Sequence, residues 1–504
     1  MIATFEGLRD WAADRASDWF RGTDGEDRLA EDRDLTVGEA LRVEAFNLLL
    51  PLAVEAGELS TDLGRGGLIE RLKGAGVDRA VRVAALRATG FGRSEAVEPV
   101  PIAFVAEFVT PSGLEPMRLV AAALPGGRWR TLAGDPRVVR RWRLPGKRHL
   151  ALTVPWRDER QILRRATREA ADRWAEIRRS PPAFALNGRD LTKPALDRLE
   201  PLVLRSSPWL RVEREAIRRR VEALRPDWVV VASDQHRLGR LAVDVARGAG
   251  ARSLVLQHGW PQYRLGYLPV VADRVATWSA ASDEWFVEGG TAPNRLDRLG
   301  NPRLDPMLAG DRETTRAGES RRLSLDGRPA ILVALSPSDA GRNLALVDLA
   351  LSAAERDSSA AVVIKLHPGD GRWQDVRRRV DEAPSESRSR IRVQRSEPIG
   401  PLLRWADLTL LHRSTVAVES LALGTPVAVG AVGAPSPDDA LPDDLELPEV
   451  STADDLLATA RSVVEPAGRD AFIARRRAAV ERVAGPIDGR SAQRIAEYLL
   501  GGGR

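Results

Sequence analysis

The runs PAILVALSPS (329–338), AAVVIKLHP (360–368) and DLTLLHRS (407–414) decide the fold, because each is a short apolar strand that ends in polar residues. Two further runs, RIRVQ (390–394) and PVAVGAVG (426–433), have the same character. Segments with helical periodicity lie between these runs, at about 342–356, 372–382 and 415–423. Such alternation of strands and helices predicts a doubly wound parallel sheet.

A similar series precedes it, with strands at DWVVVAS (227–233), SLVLQHG (253–259) and DRVATWS (273–279). We therefore predict an α/β fold of two Rossmann-like doubly wound domains that face a central cleft. The predicted boundaries are 1–305 for an acceptor-side domain with a helical N-terminal extension, 306–328 for a polar linker, 329–486 for a donor domain, and 487–504 for a C-terminal helix that crosses back.

The region before the first series offers less chemistry. Thr36 to Leu59 has helical spacing behind a threonine cap, and residues 101–110 and 117–124 are predicted as strands. A basic, aromatic stretch follows from Arg128 to His149. It is interpreted as a solvated face with two half-buried tryptophans, with a patch for an anionic acceptor or a membrane surface as the alternative.

Composition excludes several classes of function. The 504 residues include no cysteine, which removes disulfides, thiolate metal sites and a cysteine nucleophile. The net charge of +5 comes from 76 basic and 71 acidic residues, which does not favour nucleic acid as a partner. The chain has no run of 18 apolar residues and no secretory signal pattern, so we expect a cytoplasmic protein, with peripheral contact at the inner face of the plasma membrane as an open alternative.

Four of the five histidines, His236, His258, His367 and His412, follow the carboxyl end of a predicted strand. In open parallel sheets the ligand crevice lies outside these ends, so distant histidines can converge on one cleft. His258 stands in LQHGW, where Gly259 permits a sharp turn. For His236 and His412 a purely structural hydrogen bond is the competing interpretation.

Lys365 lies two residues before His367, and only four lysines occur in the chain. This pair is suited to a diphosphate, whereas a surface lysine beside a turn is the alternative. The next segment, HRSTVAVESLALGTPV (412–427), runs from a strand end into a helix that begins near Ser414 and Thr415. The helix N-terminus favours phosphate, and Glu419 can accept hydrogen bonds from a ribose diol.

These motifs, QHG, KLHP and STVAVESLALGTPV, together with GNPRLD at the domain junction, resemble the GT-B superfamily of glycosyltransferases. More narrowly they are similar to the CDP-glycerol glycerophosphotransferases, the capsule Kdo transferases and the bacterial polysialyltransferases. The resemblance covers about residues 225–430. Gln257 stands where the glycerophosphotransferases usually have tryptophan, which favours the capsule sugar transferases.

The resemblance implies a donor site in the C-terminal domain, faced by His258 from the N-terminal domain. The predicted donor-binding residues are Lys365, His367, Arg413, Ser414, Thr415 and Glu419. The predicted catalytic residues are His258, His367 and, as a rival base, Asp234, and the other predicted cleft residues are Gln257, Gly259, His236 and His412.

On this basis the sequence predicts a transferase that moves a sugar or polyol phosphate from a nucleotide-activated donor to a cell-surface polysaccharide or glycolipid. No Asp-x-Asp motif occurs in either strand series, so the reaction is expected to need no metal and no cofactor beyond the donor. Two alternatives stay open. One is an enzyme similar to a sugar-nucleotide 2-epimerase, with acid and base carboxylates and no acceptor; the other is a non-catalytic module that binds a nucleotide or a sugar.

Overall fold

The computed structural model of the chain describes most of the sequence. The described residues are 5–21, 26–29, 37–57, 83–86, 98–107, 111–142, 148–261, 264–336, 340–367, 373–432 and 445–501. They form two compact units. The first comprises 1–277, 284–297 and 493–504, and the second comprises 278–283 and 298–492.

The first unit is built on a seven-stranded sheet with the order β3-β2-β1-β6-β7-β8-β9. Its strands are β1 (Ile102–Ala106), β2 (Trp129–Ala133), β3 (His149–Ala151), β6 (Trp228–Val231), β7 (Arg252–Leu256), β8 (Arg274–Thr277) and β9 (Leu296–Arg298). All pairings from β3 to β8 are parallel. A separate antiparallel hairpin joins β4 (Ala185–Leu186) to β5 (Arg189–Asp190).

Helices cover this sheet and extend it at the N-terminal side. They are α1 (Phe5–Asp18), α2 (Val37–Ala40), α3 (Arg42–Ala56), α4 (Pro111–Ala123), α5 (Pro136–Trp142), α6 (Trp156–Arg179), α7 (Thr192–Pro201), α8 (Ser207–Leu224) and α9 (Arg237–Gly248). A π-helical turn, Leu202–Ser206, joins α7 to α8. Helix α10 (Ala280–Glu288) is divided between the two units.

The second unit is built on a six-stranded parallel sheet with the order β12-β11-β10-β13-β14-β15. Its strands are β10 (Ala330–Ala334), β11 (Ala361–Lys365), β12 (Ile391–Gln394), β13 (Leu408–Leu411), β14 (Val427–Gly430) and β15 (Glu449–Val450). Its helices are α11 (Leu304–Leu308), α12 (Arg312–Leu323), α13 (Ala340–Arg356), α14 (Trp373–Glu382), α15 (Ser385–Arg388), α16 (Ile399–Trp405), α17 (Val416–Ala422), α18 (Ala453–Ser462) and α19 (Pro466–Ala484). Helix α20 (Ser491–Leu500) follows, and most of it belongs to the first unit.

Counted along the chain, both sheets contain the third-second-first-fourth-fifth-sixth order of Rossmann folds, and the first sheet adds a seventh strand, β9, at its edge. The fold prediction is confirmed, because this is the GT-B-like α/β architecture. In each sheet the strand order reverses between the first and fourth strands, β1 and β6 in one unit, β10 and β13 in the other. Ligands of such sheets bind beside the carboxyl ends of the strands at this switch point.

The end of the chain belongs to the first unit. Residues 493–504 lie in that unit, and within it the Tyr498 hydroxyl donates to the Asp297 carboxylate over 2.8 Å. The Tyr498 ring lies 5.7 Å from the ring of Trp228 on β6. The Arg274 guanidinium holds the same Asp297 carboxylate.

The segment predicted as a linker, 306–328, is largely helical and belongs to the second unit. Helix α12 packs on α16, although its sequence has no apolar stripe. Arginines hold it instead, because Arg316 donates to Asp407 over 2.9 Å and Arg312 donates to the carbonyl oxygen of Ala406. Periodicity could not reveal a helix that is anchored by charge.

Two other expectations differ from the structure. Residues 117–124, predicted as a strand, lie mostly in α4, because their leucine, methionine and alanine favour a helix and show no strict alternation. The basic stretch 128–149 contributes two buried strands and a helix, and Trp129 and Trp142 stack in the core. In the part of the chain that the structure describes, no helix is long and apolar enough to span a membrane.

Candidate functional site

In the first unit, a carboxylate follows β1 at the switch point. Glu107 accepts hydrogen bonds from the backbone N–H groups of Leu238 and Gly239, at 3.1 and 3.3 Å, in the first turn of α9. Burial raises the pKa of Glu107, against the lowering effects of Arg237 and the two N–H groups. This carboxyl group is therefore biased toward its neutral, proton-donating form.

Gly239 permits the close approach of α9 to the end of β6. A Cβ atom at this position would lie 1.7 Å from the carbonyl oxygen of Ser233. Only glycine fits there without moving the backbone, so Gly239 fixes the helix turn that holds Glu107.

Arg237, the first residue of α9, carries its charge among several carboxylates. Its guanidinium lies 2.8 Å from Glu213 on α8 and 3.7 Å from Glu44 on α3, and it also attracts Glu107. Because an isolated buried charge is costly, these pairings fix α3, α8 and α9 relative to one another. The helical N-terminal extension thus contributes directly to the polar cluster of the first unit.

His258 follows β7, and its tautomer is set by the backbone. Nδ1 lies 2.8 Å from the carbonyl oxygen of Ala232, and since a carbonyl only accepts, the proton is on Nδ1. Nε2 then carries the lone pair. Burial, with a contribution from His236, lowers the pKa of His258 to about 4, so the ring is neutral at physiological pH. A neutral ring with its lone pair on Nε2 can accept a proton.

Two neighbours hold the His258 ring and its loop. The Tyr267 ring stacks on the imidazole, with centroids 5.0 Å apart and an interplanar angle of 4°. A Cβ on Gly259 would lie 2.9 Å from the Tyr267 hydroxyl. Close packing therefore requires glycine here, since the backbone at this position is not left-handed. The buried Gln257 side chain donates to the carbonyl oxygen of Gly259 over 3.0 Å and stabilises the turn.

Asp234 and Gln235 follow β6 and make structural hydrogen bonds. Asp234 accepts from the backbone N–H groups of Val271 and Ala272, at 2.5 and 2.9 Å, and from the Gln235 amide. The guanidinium of Arg42 on α3 donates to the Gln235 side chain and to the carbonyl oxygen of Leu268. The assignment of Asp234 as a base stays a prediction, but its oxygens already serve the loop at 271–272.

His236 occupies the N-cap position of α9 and is half-buried. Burial lowers its pKa, although the Glu44 carboxylate opposes this. The charges of Glu44 and Arg237 both act on His236, and His236 in turn contributes to the lowered pKa of His258.

In the second unit, Lys365 ends β11 and is 95% buried by the surrounding protein, with 5% of its surface exposed. Its ammonium donates to the carbonyl oxygens of Leu366 and Arg395, at 2.8 and 3.0 Å. Burial lowers its pKa. Two of the three N–H donors of Lys365 thus bind carbonyl groups at neighbouring strand ends. The His367 side chain, in contrast, is exposed and accessible to a ligand.

His412 follows β13 and is buried against one arginine. Its Nδ1 lies 3.4 Å from the Arg342 guanidinium and its Nε2 lies 3.1 Å from the Arg342 carbonyl oxygen. The donor and acceptor sides of a neutral imidazole match this arrangement. His412 therefore positions Arg342 at the start of α13, near the end of β10.

Arg413, Ser414 and Thr415 form the turn between β13 and α17, and all three are partly exposed. Thr415 is the N-cap residue of α17, and in the described part of the chain its side chain makes no capping hydrogen bond. The hydroxyl is therefore not committed to the helix. These three residues lie at the switch point of the second sheet.

Glu419 is buried and lies one turn into α17. Its Oε1 lies 3.2 Å from the guanidinium of Arg303, which immediately precedes α11. The pair fixes one carboxylate oxygen, and the other oxygen can accept a hydrogen bond from a hydroxyl. Arg303 belongs to GNPRLD, a motif that carried the resemblance but was assigned no site residue.

Sequence analysis missed Glu107, Arg237, Glu213 and Arg303 as site residues. One feature could have revealed Glu107, because it is a single carboxylate in the otherwise apolar run PIAFVAEFVT. The other three depend on partners in distant segments and have no local pattern. Among the described residues, no group of three or more histidine or acidic side chains is arranged to hold a metal ion, and metal independence stays a prediction.

No protein-family model matches the chain, and no curated protein matches it in sequence. Solved structures do match. The UDP-GlcNAc 2-epimerase of Neisseria meningitidis bound to UDP-GlcNAc is 13% identical, with a TM-score of 0.51 over 80% of this chain and 100% of that chain. The 2-epimerase of Methanocaldococcus jannaschii is 12% identical, with a TM-score of 0.48 over 80% and 99% of the two chains. Anabaena HepE in complex with UDP is 13% identical, also with a TM-score of 0.48, over 80% and 100%.

At this identity the likeness shows the fold. It corrects the prediction of a glycosyltransferase, because UDP-GlcNAc 2-epimerases share the GT-B fold on which that prediction rested and favour the alternative interpretation. The narrower resemblance to capsule and teichoic-acid transferases is not supported. The motifs at the strand ends do not distinguish transfer from epimerisation.

Proposed function

We propose that this chain is a sugar-nucleotide enzyme that changes the sugar of one nucleotide-linked substrate without an acceptor, as a 2-epimerase does. One observation carries the proposal. At the carboxyl ends of β1 and β7, which flank β6 in the first sheet, burial favours the protonated form of Glu107 and the neutral form of His258. A carboxyl group whose proton is favoured and an imidazole whose neutral form is favoured are suited to act as acid and base.

The reaction itself requires such a pair. Carbon 2 of a nucleotide-linked sugar has no neighbouring carbonyl, so its proton leaves as the bond from the anomeric carbon to the diphosphate breaks. The C–H electron pair becomes the carbon–carbon double bond, and the electrons of the breaking bond pass to the diphosphate oxygen. Return of a proton to the opposite face and re-formation of the bond complete the inversion. The site must supply a base, an acid and cationic support for the diphosphate.

In the proposal, Nε2 of His258 takes the proton and the Glu107 carboxyl supplies one. The backbone carbonyl of Ala232 keeps the base tautomer in place, and the stacked Tyr267 ring keeps its orientation. Arg237 and its carboxylates hold the α9 turn that donates to Glu107. Each proton-transfer role is worth roughly 10²- to 10⁴-fold in rate.

The second unit would hold the nucleotide. Arg413, Ser414, Thr415 and His367 are accessible polar groups at its strand ends, and Glu419, fixed by Arg303, can accept from a ribose hydroxyl. The Neisseria meningitidis structure, which has UDP-GlcNAc bound, supports a nucleotide sugar as the ligand class of this fold. We therefore propose a uridine-diphosphate-linked amino sugar as the first substrate to test.

The test has two parts. Thermal shift of the full chain against CMP, CDP, UDP, GDP and ADP should show one preferred nucleotide, since a ligand at 100 times its dissociation constant adds about 2.7 kcal/mol. Incubation of the sugar nucleotide alone in deuterium oxide should then place deuterium at carbon 2, detectable by nuclear magnetic resonance. Binding without deuterium incorporation would contradict the epimerase and support a non-catalytic module. No nucleotide shift would contradict the donor site.

A further inference from the structure

The outward face of α6 carries a stripe of arginines in the first unit. Arg157, Arg160, Arg164 and Arg168 recur at intervals of three or four residues and are all exposed. Side chains at this spacing lie on one helix face, here over roughly 17 Å along the axis. We call these four residues, with Trp156 at the start of the helix, the α6 stripe.

The inward face of α6 already has its partners. Ala166, Ala170, Trp174 and Ile177 are buried, and the helix packs on α8 and the π-helical turn. The stripe is therefore not needed to attach α6 to the unit. A shallow groove runs along it, and all of its lining residues belong to α6.

The four arginines have no counter-charge among the described residues. None of them makes an ion pair or a hydrogen bond with a described residue, although Arg165 on the same helix pairs with Glu169 at 2.5 Å. Arg160 contacts only the Trp156 ring, with its guanidinium carbon 4.4 Å from the ring centroid. Four uncompensated charges in line favour a partner with several negative charges.

Trp156 adds an apolar feature to this surface. Its side chain is 56% exposed, whereas Trp129, Trp142 and Trp228 are fully buried. Indole rings prefer the boundary between water and lipid, and arginines near an anionic bilayer gain about 1 kcal/mol each. We propose that the α6 stripe docks this protein on an anionic lipid bilayer.

A nucleic acid fits this surface less well. Sites for single strands combine a groove with two walls and several aromatic rings on which successive bases stack. The α6 stripe has one aromatic ring, at its end, and one helix supplies the whole surface. An exposed row of arginines with a single tryptophan at its end matches a flat, charged membrane surface better.

The experiment is co-sedimentation of the full chain with vesicles. We expect binding to vesicles of phosphatidylglycerol and phosphatidylcholine in equal parts, loss of binding at high salt, and none to phosphatidylcholine alone. Each Arg→Gln change in the stripe should lower the partition coefficient about fivefold, which is the equivalent of 1 kcal/mol. Trp156→Ala should weaken binding and keep its dependence on the anionic lipid.

A matched control removes the same charge elsewhere. Arg377, Arg378, Arg379 and Arg475 are exposed on the second unit, and their fourfold change to Gln should leave vesicle binding nearly unchanged. Equal losses in the two fourfold variants would show a general charge effect and overturn the proposal. The proposal is also overturned if the wild-type protein does not bind anionic vesicles, or if the stripe binds generic DNA and the protein does not bind vesicles. Circular dichroism confirms that each variant folds.

Discussion

Nδ1 of His258 donates a hydrogen bond to the carbonyl oxygen of Ala232 over 2.8 Å. This single contact joins the end of β7 to the end of β6, and it decides which ring nitrogen can take up a proton. A side chain that keeps the donor and loses Nε2 therefore separates the structural role of His258 from its proposed chemical role.

His258→Asn keeps an N–H group near Ala232 and removes Nε2. We expect it to fold and to retain the nucleotide-dependent thermal shift, while deuterium incorporation at carbon 2 falls by roughly 10²- to 10⁴-fold. Tyr267→Phe, which keeps the stacked ring, serves as the control and should lose little. Wild-type exchange in His258→Asn would refute the assignment of the base.

Gly259→Ala places a methyl group 2.9 Å from the Tyr267 hydroxyl. We expect a loss of stability of about 1 to 3 kcal/mol, because the aromatic ring must shift. Tyr267→Phe removes the obstructing oxygen, so the double variant should recover most of the loss in calorimetric melting. If the double variant is no better than Gly259→Ala, the hydroxyl does not explain this glycine.

Gly239→Ala should be more damaging, since its Cβ would meet the Ser233 carbonyl oxygen at 1.7 Å. The obstacle is backbone, which no side-chain change can relieve. We expect a loss of about 3 kcal/mol or more and a weaker hold on Glu107. Melting temperature and deuterium exchange should fall together, and an unchanged melting temperature would contradict the packing argument.

The Arg303–Glu419 pair suits a double-mutant cycle. Glu419→Leu leaves a largely buried guanidinium without its counter-ion, which costs about 3 to 5 kcal/mol, and it removes the proposed ribose acceptor. Arg303→Met with Glu419→Leu should cost less, because neither charge is then left alone. Both variants should lose the thermal shift with UDP. A full UDP shift in Glu419→Leu would place the ribose elsewhere.

Stability should depend on pH through His149, which is 1% exposed beside Trp142. Burial lowers its pKa from 6.5 to about 4, so between these values the unfolded chain binds the proton and the folded chain does not. The stability that His149 contributes is complete above pH 6.5 and is lost as the pH falls toward 4, with a slope of up to about 1.4 kcal/mol per pH unit.

The measurement is calorimetric melting of wild type and His149→Gln from pH 7 to pH 4. The difference between the two proteins is needed because burial raises the pKa of Asp27 to about 6. Protonation of Asp27 makes the folded chain more stable as the pH falls, which opposes the effect of His149. The variant should lose less stability on acidification than the wild type. Parallel curves would show that His149 does not titrate in this way.

Much of the fold could be predicted from the sequence because the central strands of both sheets are apolar on both faces and are followed by polar residues. The runs around Val230, Leu254 and Ile364 are strands at the predicted places. The local sequence pattern did not predict two helices correctly. The Ala-rich residues 117–124 lack alternation, and α12 is held by Arg312 and Arg316 through carbonyl and carboxylate oxygens.

The site could be predicted only in its parts that lie at strand ends. The sequence predicts His258, Lys365 and the turn at 413–415 as site residues because the ends of parallel strands mark the ligand side of a sheet, and their roles stay predictions. Glu107 and Arg237 were not, since the contact of Glu107 with α9 spans 131 residues of chain. Whether the sheet serves transfer or epimerisation depends on such long-range acid and base contacts, and this is why the resemblance led to the wrong reaction.

The contact of Tyr498 with Asp297 and Trp228 has a practical consequence for the design of truncated or fused forms of this chain. The last helix supplies a side chain to the sheet of the first unit, although it follows the whole second unit in sequence. A truncation or fusion at the carboxyl terminus therefore acts on the half of the protein that contains His258, and separate expression of the first unit requires the final helix to be supplied as a second piece or joined by a new linker.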